Sequence, residues 1–249
     1  MSTATEAPTE RILGIRFFAG SLAAAGARAA EGGLVVAPSG PGLGWDLTHE
    51  PAYRAALESA DVVLTDSGFL VWLWWLRTGR RLPRVSGLAF LWQFLNGEPA
   101  RRRATFWVMP SAEEMRRSLA WLRGRGLPAT EEDCYVAPYY GAGAVTDDLL
   151  RDAIERRRPE VVVIAIGGGV QERLGHWLRD ALPYRPGIFC LGAAIAFLSG
   201  GQVGIPPWVD RARLGWLWRT VSGPRAFAPR YGRALRLGWL VFRYGREAP

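Results

Sequence analysis

The sequence predicts an α/β protein: a Rossmann-like, mostly parallel sheet with helices on both faces, followed by a C-terminal arginine-rich helical appendage. Three observations predict it. Short β-branched runs alternate with longer helical patterns, the order expected of parallel strands joined by crossover helices. Val161-Val162-Val163-Ile164-Ala165-Ile166 is apolar throughout, as a strand covered on both faces is. After Pro206-Pro207 the strand pattern stops, and tryptophans interleave with arginines.

Each element follows from its local pattern. Strands are expected at Ile12–Phe17, Leu34–Ala37, Val62–Thr65, Thr105–Met109, Cys134–Ala137, Val161–Ile166 and Ile188–Leu191. Helical stretches fall at 20–30, 47–60, 69–78, 87–96, 111–124, 147–158 and 171–181. Ser111 followed by Glu114 is a capping-box pattern, and Thr146-Asp147-Asp148 supplies another helix start. The stretch 69–78 carries Trp72, Trp74 and Trp75, whose spacing wraps most of a helix and predicts a well-buried one. Residues 1–206 are read as the α/β core and 207–249 as the appendage. Within the appendage Trp208, Trp216, Trp218 and Trp239 interleave with arginine, and Gly223-Pro224 separates two helical pieces.

Composition narrows the function. The chain has 249 residues with 49% apolar content, enough for one large core. All 31 basic residues are arginine. Residues 1–206 are near charge balance, whereas 207–249 hold nine arginines against Asp210 and Glu247. That local excess predicts an anionic partner: phosphate, nucleic acid or an anionic membrane surface. Cys134 and Cys190 are too few and too distant in sequence for a metal motif or disulfide framework, and read as a buried, reduced pair. His49 and His176 lack metal-ligand spacing, and the N-terminus carries no signal-peptide pattern. The apolar run Phe69–Leu76 is too short to cross a bilayer, and 186–209 is broken by proline and glycine.

Ligands of such sheets bind outside the carboxyl ends of the strands. Four loops satisfy that condition: Pro38-Ser39-Gly40, Asp66-Ser67-Gly68, Met109-Pro110-Ser111-Ala112, and Gly167-Gly168-Gly169-Val170-Gln171-Glu172. The triple glycine allows backbone N–H groups close to a phosphate or sugar, or it is simply a flexible turn. Gln171 can orient a hydroxyl; Glu172 can serve as a favourable first-turn acid. Asp66 is either the N-cap of the next helix or a general base at a strand end.

With these loops in view, the chain resembles the WecG/TagA/CpsF family of bacterial glycosyltransferases. Ser59 through Gly68, followed by Val71-Trp72 and Arg77, is similar to the family's A-D-x-x-x-x-D-G-x-G-x-V-W run. Arg84-Val85-Ser86-Gly87 resembles R-V-x-G, and Gly167 through Glu172 resembles G-L-G-x-P-x-Q-E. Gly192-Ala193-Ala194 with Phe197 and Gly200 resembles G-A-A-F-D-F-x-x-G. Pro207-Trp208, Arg211, Arg219, Pro224-Arg225 and Tyr231 follow the family's C-terminal pattern. Departures are equally specific. Ala37 and Ser39 replace the family's threonine and asparagine; Ala89 and Ala196 replace two aspartates. Gly169 and Val170 stand for proline and lysine, and Ser67 for glycine.

The resemblance implies inverting transfer of an N-acetylmannosamine-like sugar from a UDP-sugar to a membrane-lipid-linked acceptor in cell-surface polysaccharide synthesis. Asp66 would be the catalytic base, with Arg211, Arg219 and Arg225 facing the departing diphosphate. Ser39, Ser67, Gly68, Arg84, Gly87, Pro110, Ser111, Gly167, Gly168, Gly169, Gln171 and Glu172 are the expected substrate contacts. No cofactor and no metal are expected, since the resemblance implies none and no D-x-D pair is present. The implied location is cytoplasmic, peripheral on the inner face of the membrane. A homo-oligomer stays open. The competing reading is a catalytically degenerate nucleotide-sugar- or lipid-binding accessory protein, motivated by Ala37, Ala89 and Ala196. Nucleic-acid binding is the least supported reading, because no reading motif accompanies the basic tail.

Overall fold

The computed structural model describes residues 8–97, 104–201 and 224–249. Eight strands form one sheet in the order β1-β2-β4-β3-β8-β7-β5-β6. They are β1 (Thr9–Ile12), β2 (Ile15–Phe18), β3 (Gly33–Val36), β4 (Val62–Val63), β5 (Thr105–Met109), β6 (Cys134–Val136), β7 (Val161–Ile164) and β8 (Gly187–Cys190). Only β1 and β2 are antiparallel. Every other pairing is parallel, so the expected α/β architecture is the observed one.

The helices are α1 (Leu22–Ala29), α2 (Leu47–His49), α3 (Pro51–Ser59), α4 (Gly68–Thr78), α5 (Gly87–Leu95), α6 (Ala112–Gly124), α7 (Asp148–Arg157), α8 (Val170–Ala181), α9 (Ala194–Ser199) and α10 (Pro224–Tyr244). Alternation along the strands divides the core in two. Leu34, Val36, Phe106, Val108, Val162 and Ile164 meet helices α3, α4, α7, α8 and α10. Val35, Trp107, Val163 and Phe189 face α1, α5, α6 and α9. The period-2 geometry of a strand sends neighbours to opposite faces, so strands apolar throughout seal both layers.

Three local expectations are corrected. The single strand Ile12–Phe17 is a hairpin, with Leu13 at φ 53° and Gly14 at φ 83°. A two-residue turn of this type needs positive φ at both positions, and leucine does not advertise it. Leu13 is held there by burial, and the turn's N–H groups donate to Gly245 O (2.8 Å) and Arg246 O (3.0 Å). The helix expected at 47–60 breaks at Glu50, which is extended because Pro51 follows it. A π-helical turn, Gly42–Asp46, precedes α2. Finally, α4 is not buried all round: Trp74 is in the core, whereas Trp72 and Trp75 are exposed.

The end of the chain shares the core. Leu237, Leu240 and Val241 of α10 are buried in the same cluster as Leu70, Leu73 and Trp74 of α4. Burying three such side chains is worth about 1.5–3 kcal/mol each. Pro206-Pro207, Trp208, Trp216 and Trp218 lie outside the described residues. Among the described residues no helix is long and apolar enough to cross a membrane.

Candidate active site at the carboxyl edge of the sheet

Sheet register brings the candidate loops to one edge. Val63 pairs with Val36, Val36 with Cys190, and Cys190 with Ile164, so four strands end at one level. The loops that follow therefore leave the sheet side by side. A methyl group added at Gly40 would sit 3.1 Å from Ser67 Oγ, and one at Gly168 would sit 3.5 Å from Ser39 Oγ. The β3 loop thus bridges the Asp66 loop and the glycine loop.

Ser67, not Asp66, caps α4: its Oγ accepts from Leu70 N–H at 3.2 Å. Asp66 points elsewhere. Its Oδ1 accepts from Gly87 N–H at 3.0 Å, at the first residue of α5, and its carbonyl accepts from Arg84 Nε at 3.1 Å. Gly87 is tightly packed: a methyl there would crowd Ala37 Cβ at 3.1 Å and lie 3.4 Å from Leu191 O. Gly68 lies beside Arg84 at ordinary packing distance, a methyl there falling 3.5 Å from its Nε. Asp66, Ser67, Gly68, Arg84 and Gly87 are therefore one assembly.

The residue that builds it is Thr65, which the sequence reading passed over. Fully buried, it donates from Oγ1 to Pro83 O (2.6 Å) and accepts from Val85 N–H (2.9 Å). This staple fixes the 83–87 segment against the end of β4. A polar residue directly before Asp66 in an apolar strand was the available signal.

The glycine loop is held from behind. Gly167 and Gly169 adopt φ 106° and 89°, which side chains rarely tolerate. Glu172 Oε2 accepts from Gly169 N–H at 2.6 Å, and Arg173 Nε donates to Gly169 O at 3.0 Å. Arg173 also donates to Gly141 O and Gly143 O, tying in the loop after β6. Gln171 Oε1 accepts from Gly192 N–H (2.7 Å), and its Nε2 donates to Glu172 Oε1 (3.2 Å). Gln171 and Glu172 thus hold the loop from inside the protein, both being buried. The Gly169 amide is engaged by Glu172, so it is not a donor to a ligand in this arrangement.

Burial raises the Glu172 carboxyl to about 7, with Asp46 adding to the rise. Asp46 lies at the glycine loop: a methyl at Gly169 would be 3.1 Å from its Oδ2. Tyr53 Oη, behind the π-helical turn, is buried with no hydrogen-bond partner among the described residues, and burial pushes its pKa well up. Burial likewise pushes the Cys190 thiol up, while Cys134 is half-buried rather than buried and raised to about 12 by desolvation. Both cysteines are unbridged.

Not every expected contact gathers here. Pro110 and Ser111 follow β5, four strands from β4 or roughly 19 Å at normal strand spacing. Ser111 Oγ accepts from Glu114 N–H at 3.2 Å as the cap of α6. Arg211 and Arg219 lie outside the described residues, and Arg225 is on the first turn of α10. Arg236 of α10 stacks over Trp45 at 5.1 Å, with its Nη1 3.2 Å from His49 Nε2, which docks the helix on the π-helical turn. Among the described residues no group of three or more His, Cys, Asp or Glu could hold a metal. A cavity of about 290 Å³ lies at the opposite, amino-end edge, near Ala29, Arg158, Tyr184 and Arg185. Arg185 pairs there with Asp61 at 2.6 Å, and Arg158 covers the Tyr184 ring, so this space is distinct from the Asp66 assembly.

Residues 10–248 match the glycosyl transferase WecG/TagA/CpsF family. The chain belongs to this family. Among similar proteins is the N-acetylglucosaminyldiphosphoundecaprenol N-acetyl-beta-D-mannosaminyltransferase of Bacillus spizizenii strain W23. It is 24% identical over 193 residues, 77% of this chain and 72% of that protein. The enzyme of the same name from Bacillus subtilis strain 168 is 23% identical over 77% of this chain and 73% of its own length. In this WecG/TagA/CpsF member Asp66 stands at the junction of the converging loops.

Proposed function

We propose that the protein transfers an N-acetylmannosamine-type sugar from a UDP-sugar to a membrane-lipid-linked N-acetylglucosamine acceptor, with inversion, during cell-envelope polysaccharide synthesis. The observation that carries the reading is the placement of Asp66. Its carboxylate takes no part in capping α4 and stands where the β3, β4 and 84–87 segments meet.

In this reading Asp66 accepts the proton of the acceptor hydroxyl as its oxygen attacks the anomeric carbon. The bond from that carbon to the diphosphate oxygen breaks, and the nucleoside diphosphate leaves with the electron pair. Arg211, Arg219 and Arg225 neutralise the charge that develops, work that guanidinium forks do bidentately. Ser39, Ser67 and the Gly167-Gly168 backbone line the donor side. The reaction then needs no metal, and the C-terminal arginine- and tryptophan-rich segment holds the enzyme on the inner membrane surface. The names of the two Bacillus relatives support the sugar and the lipid-linked acceptor.

The test is transfer from UDP-N-acetylmannosamine to a short-chain lipid-diphosphate N-acetylglucosamine, with and without EDTA. Transfer that survives EDTA and falls in Arg211→Ala, Arg219→Ala and Arg225→Ala is expected. Donor binding with neither transfer nor donor hydrolysis would instead favour a degenerate binding protein, the reading that Ala37, Ala89 and Ala196 motivate.

A further inference from the structure

Helices α4 and α10 lie side by side, and each buries one face in the same core. Leu73 of α4 packs toward Gly238 of α10, and Arg77 donates from Nη1 to Phe242 O. Their other faces point outward together. On α4 this outer face carries Trp72, Trp75 and Leu76, at positions i, i+3 and i+4; on α10 it carries Leu235, Trp239 and Phe242, at i, i+4 and i+7. All six are exposed, between 43% and 72%. An apolar, aromatic face of this extent is not the usual surface of a soluble monomer.

Charge decides what covers it. Neither α4 nor α10 contains a single aspartate or glutamate. Arg77, Arg236 and Arg243 lie on the two helices, and Arg80 and Arg81 follow α4 directly. An aromatic stripe bordered mainly by arginine, with Glu10 the acid at its edge through Arg80 (3.5 Å) and Arg246 (2.8 Å), matches an anionic lipid interface, where tryptophan sits at headgroup level and arginine meets phosphate. A second copy of the chain fits poorly, because a two-fold contact would set these arginines against their own copies. Neither helix is long and apolar enough to cross the bilayer, which leaves a helix pair lying in its plane.

We propose that the outer face of the α4–α10 pair is a docking surface for an anionic phospholipid bilayer, so that half of the membrane contact comes from the catalytic core. This deepens the reading above, from which it takes only the lipid-linked acceptor. Ser67, the cap of α4, adjoins Asp66 in the chain, and an eleven-residue helix is about 16 Å long. Docking on α4 therefore holds the proposed base within about one such helix length of the membrane surface, where a lipid-linked sugar is presented.

The experiment is cosedimentation of the full chain with vesicles of 30% phosphatidylglycerol in phosphatidylcholine, and with vesicles of phosphatidylcholine alone. Two variants probe the helices independently: Trp72→Ser/Trp75→Ser/Leu76→Ser and Trp239→Ser/Phe242→Ser. The wild type is expected to bind the anionic vesicles, and each variant to partition about tenfold less, with the melting temperature unchanged. Transfer to a water-soluble acceptor fragment should be retained in both. Wild-type binding by the α4 variant, or a wild type that ignores anionic vesicles, overturns the proposal. So does a light-scattering mass that halves on substitution, which would assign the face to a second copy. If no acceptor is glycosylated while the α4 variant still loses vesicle binding, the transferase reading fails and the docking face stands.

Discussion

The Oδ1 atom of Asp66 accepts a hydrogen bond from the backbone N–H of Gly87 at 3.0 Å. That contact fixes the carboxylate at the start of α5 and separates its structural part from its chemical one. Asparagine can reproduce the structural part, since its amide oxygen also accepts from Gly87, but it cannot take a proton from a hydroxyl. Asp66→Asn should therefore fold normally and bind donor within about twofold of wild type, while transfer falls on the order of 10²–10⁴-fold. Steady-state rates and calorimetric donor titration read the two parts separately. Unchanged turnover would remove Asp66 from the base role.

Thr65 makes the segment that carries Arg84 and Gly87 rigid, through its bonds to Pro83 O and Val85 N–H. Thr65→Val keeps the shape and leaves both backbone groups without this partner. The expected loss is about 1–3 kcal/mol, read as a lower urea midpoint at unchanged slope. Turnover should drop as well, because the Asp66–Gly87 contact depends on that segment. A full-rate variant of normal stability would show that the staple is dispensable.

The parallel sheet was legible because its inner strands are uninterrupted apolar runs, and Val161–Ile164 landed inside it, third from one edge, while β3 and β8 hold the middle. The edge loops were legible because each combines a strand end with serine, aspartate or glycine. What escaped was information carried by the partner rather than by the residue itself. Leu13 holds a positive φ because the tail after α10 pairs with it across the whole chain. Asp66 and Ser67 both have cap chemistry, and only the placement of Gly87 shows which of them caps α4. The tryptophans of α4 were read from their spacing as a wrap of burial. The sheet covers one side of the helix and α10 only part of the rest, which leaves Trp72 and Trp75 outside.

Tyr53 keeps a buried hydroxyl without a partner among the described residues, and a methyl at Gly42 would lie 2.8 Å from it. The hydroxyl loses its hydration on folding and regains nothing in the described contacts. Tyr53→Phe should stabilise the protein by about 1 kcal/mol. Gly42→Ala alone should destabilise it and disturb the π-helical turn. In the Tyr53→Phe background the same alanine should cost clearly less, because the clashing atom has gone. A double-mutant cycle on urea midpoints measures the coupling; additive effects would disprove the contact.

Glu172 links the glycine loop to pH. Its carboxyl is raised from 4.5 to about 7 by burial, so in this interval the folded state binds more protons than the unfolded one. Stability from this group is thus complete below about pH 4.5, declines as pH rises toward 7, and is flat above. The full swing is on the order of 3 kcal/mol. Glu172→Gln keeps an oxygen for the Gly169 N–H and removes the titration. Relative to wild type, the variant should therefore gain stability between pH 5 and pH 8, when urea midpoints are compared at each pH. A difference that stays constant across that range would mean that Glu172 does not titrate there, leaving its part to the hydrogen bonds it makes with Gly169 and Gln171.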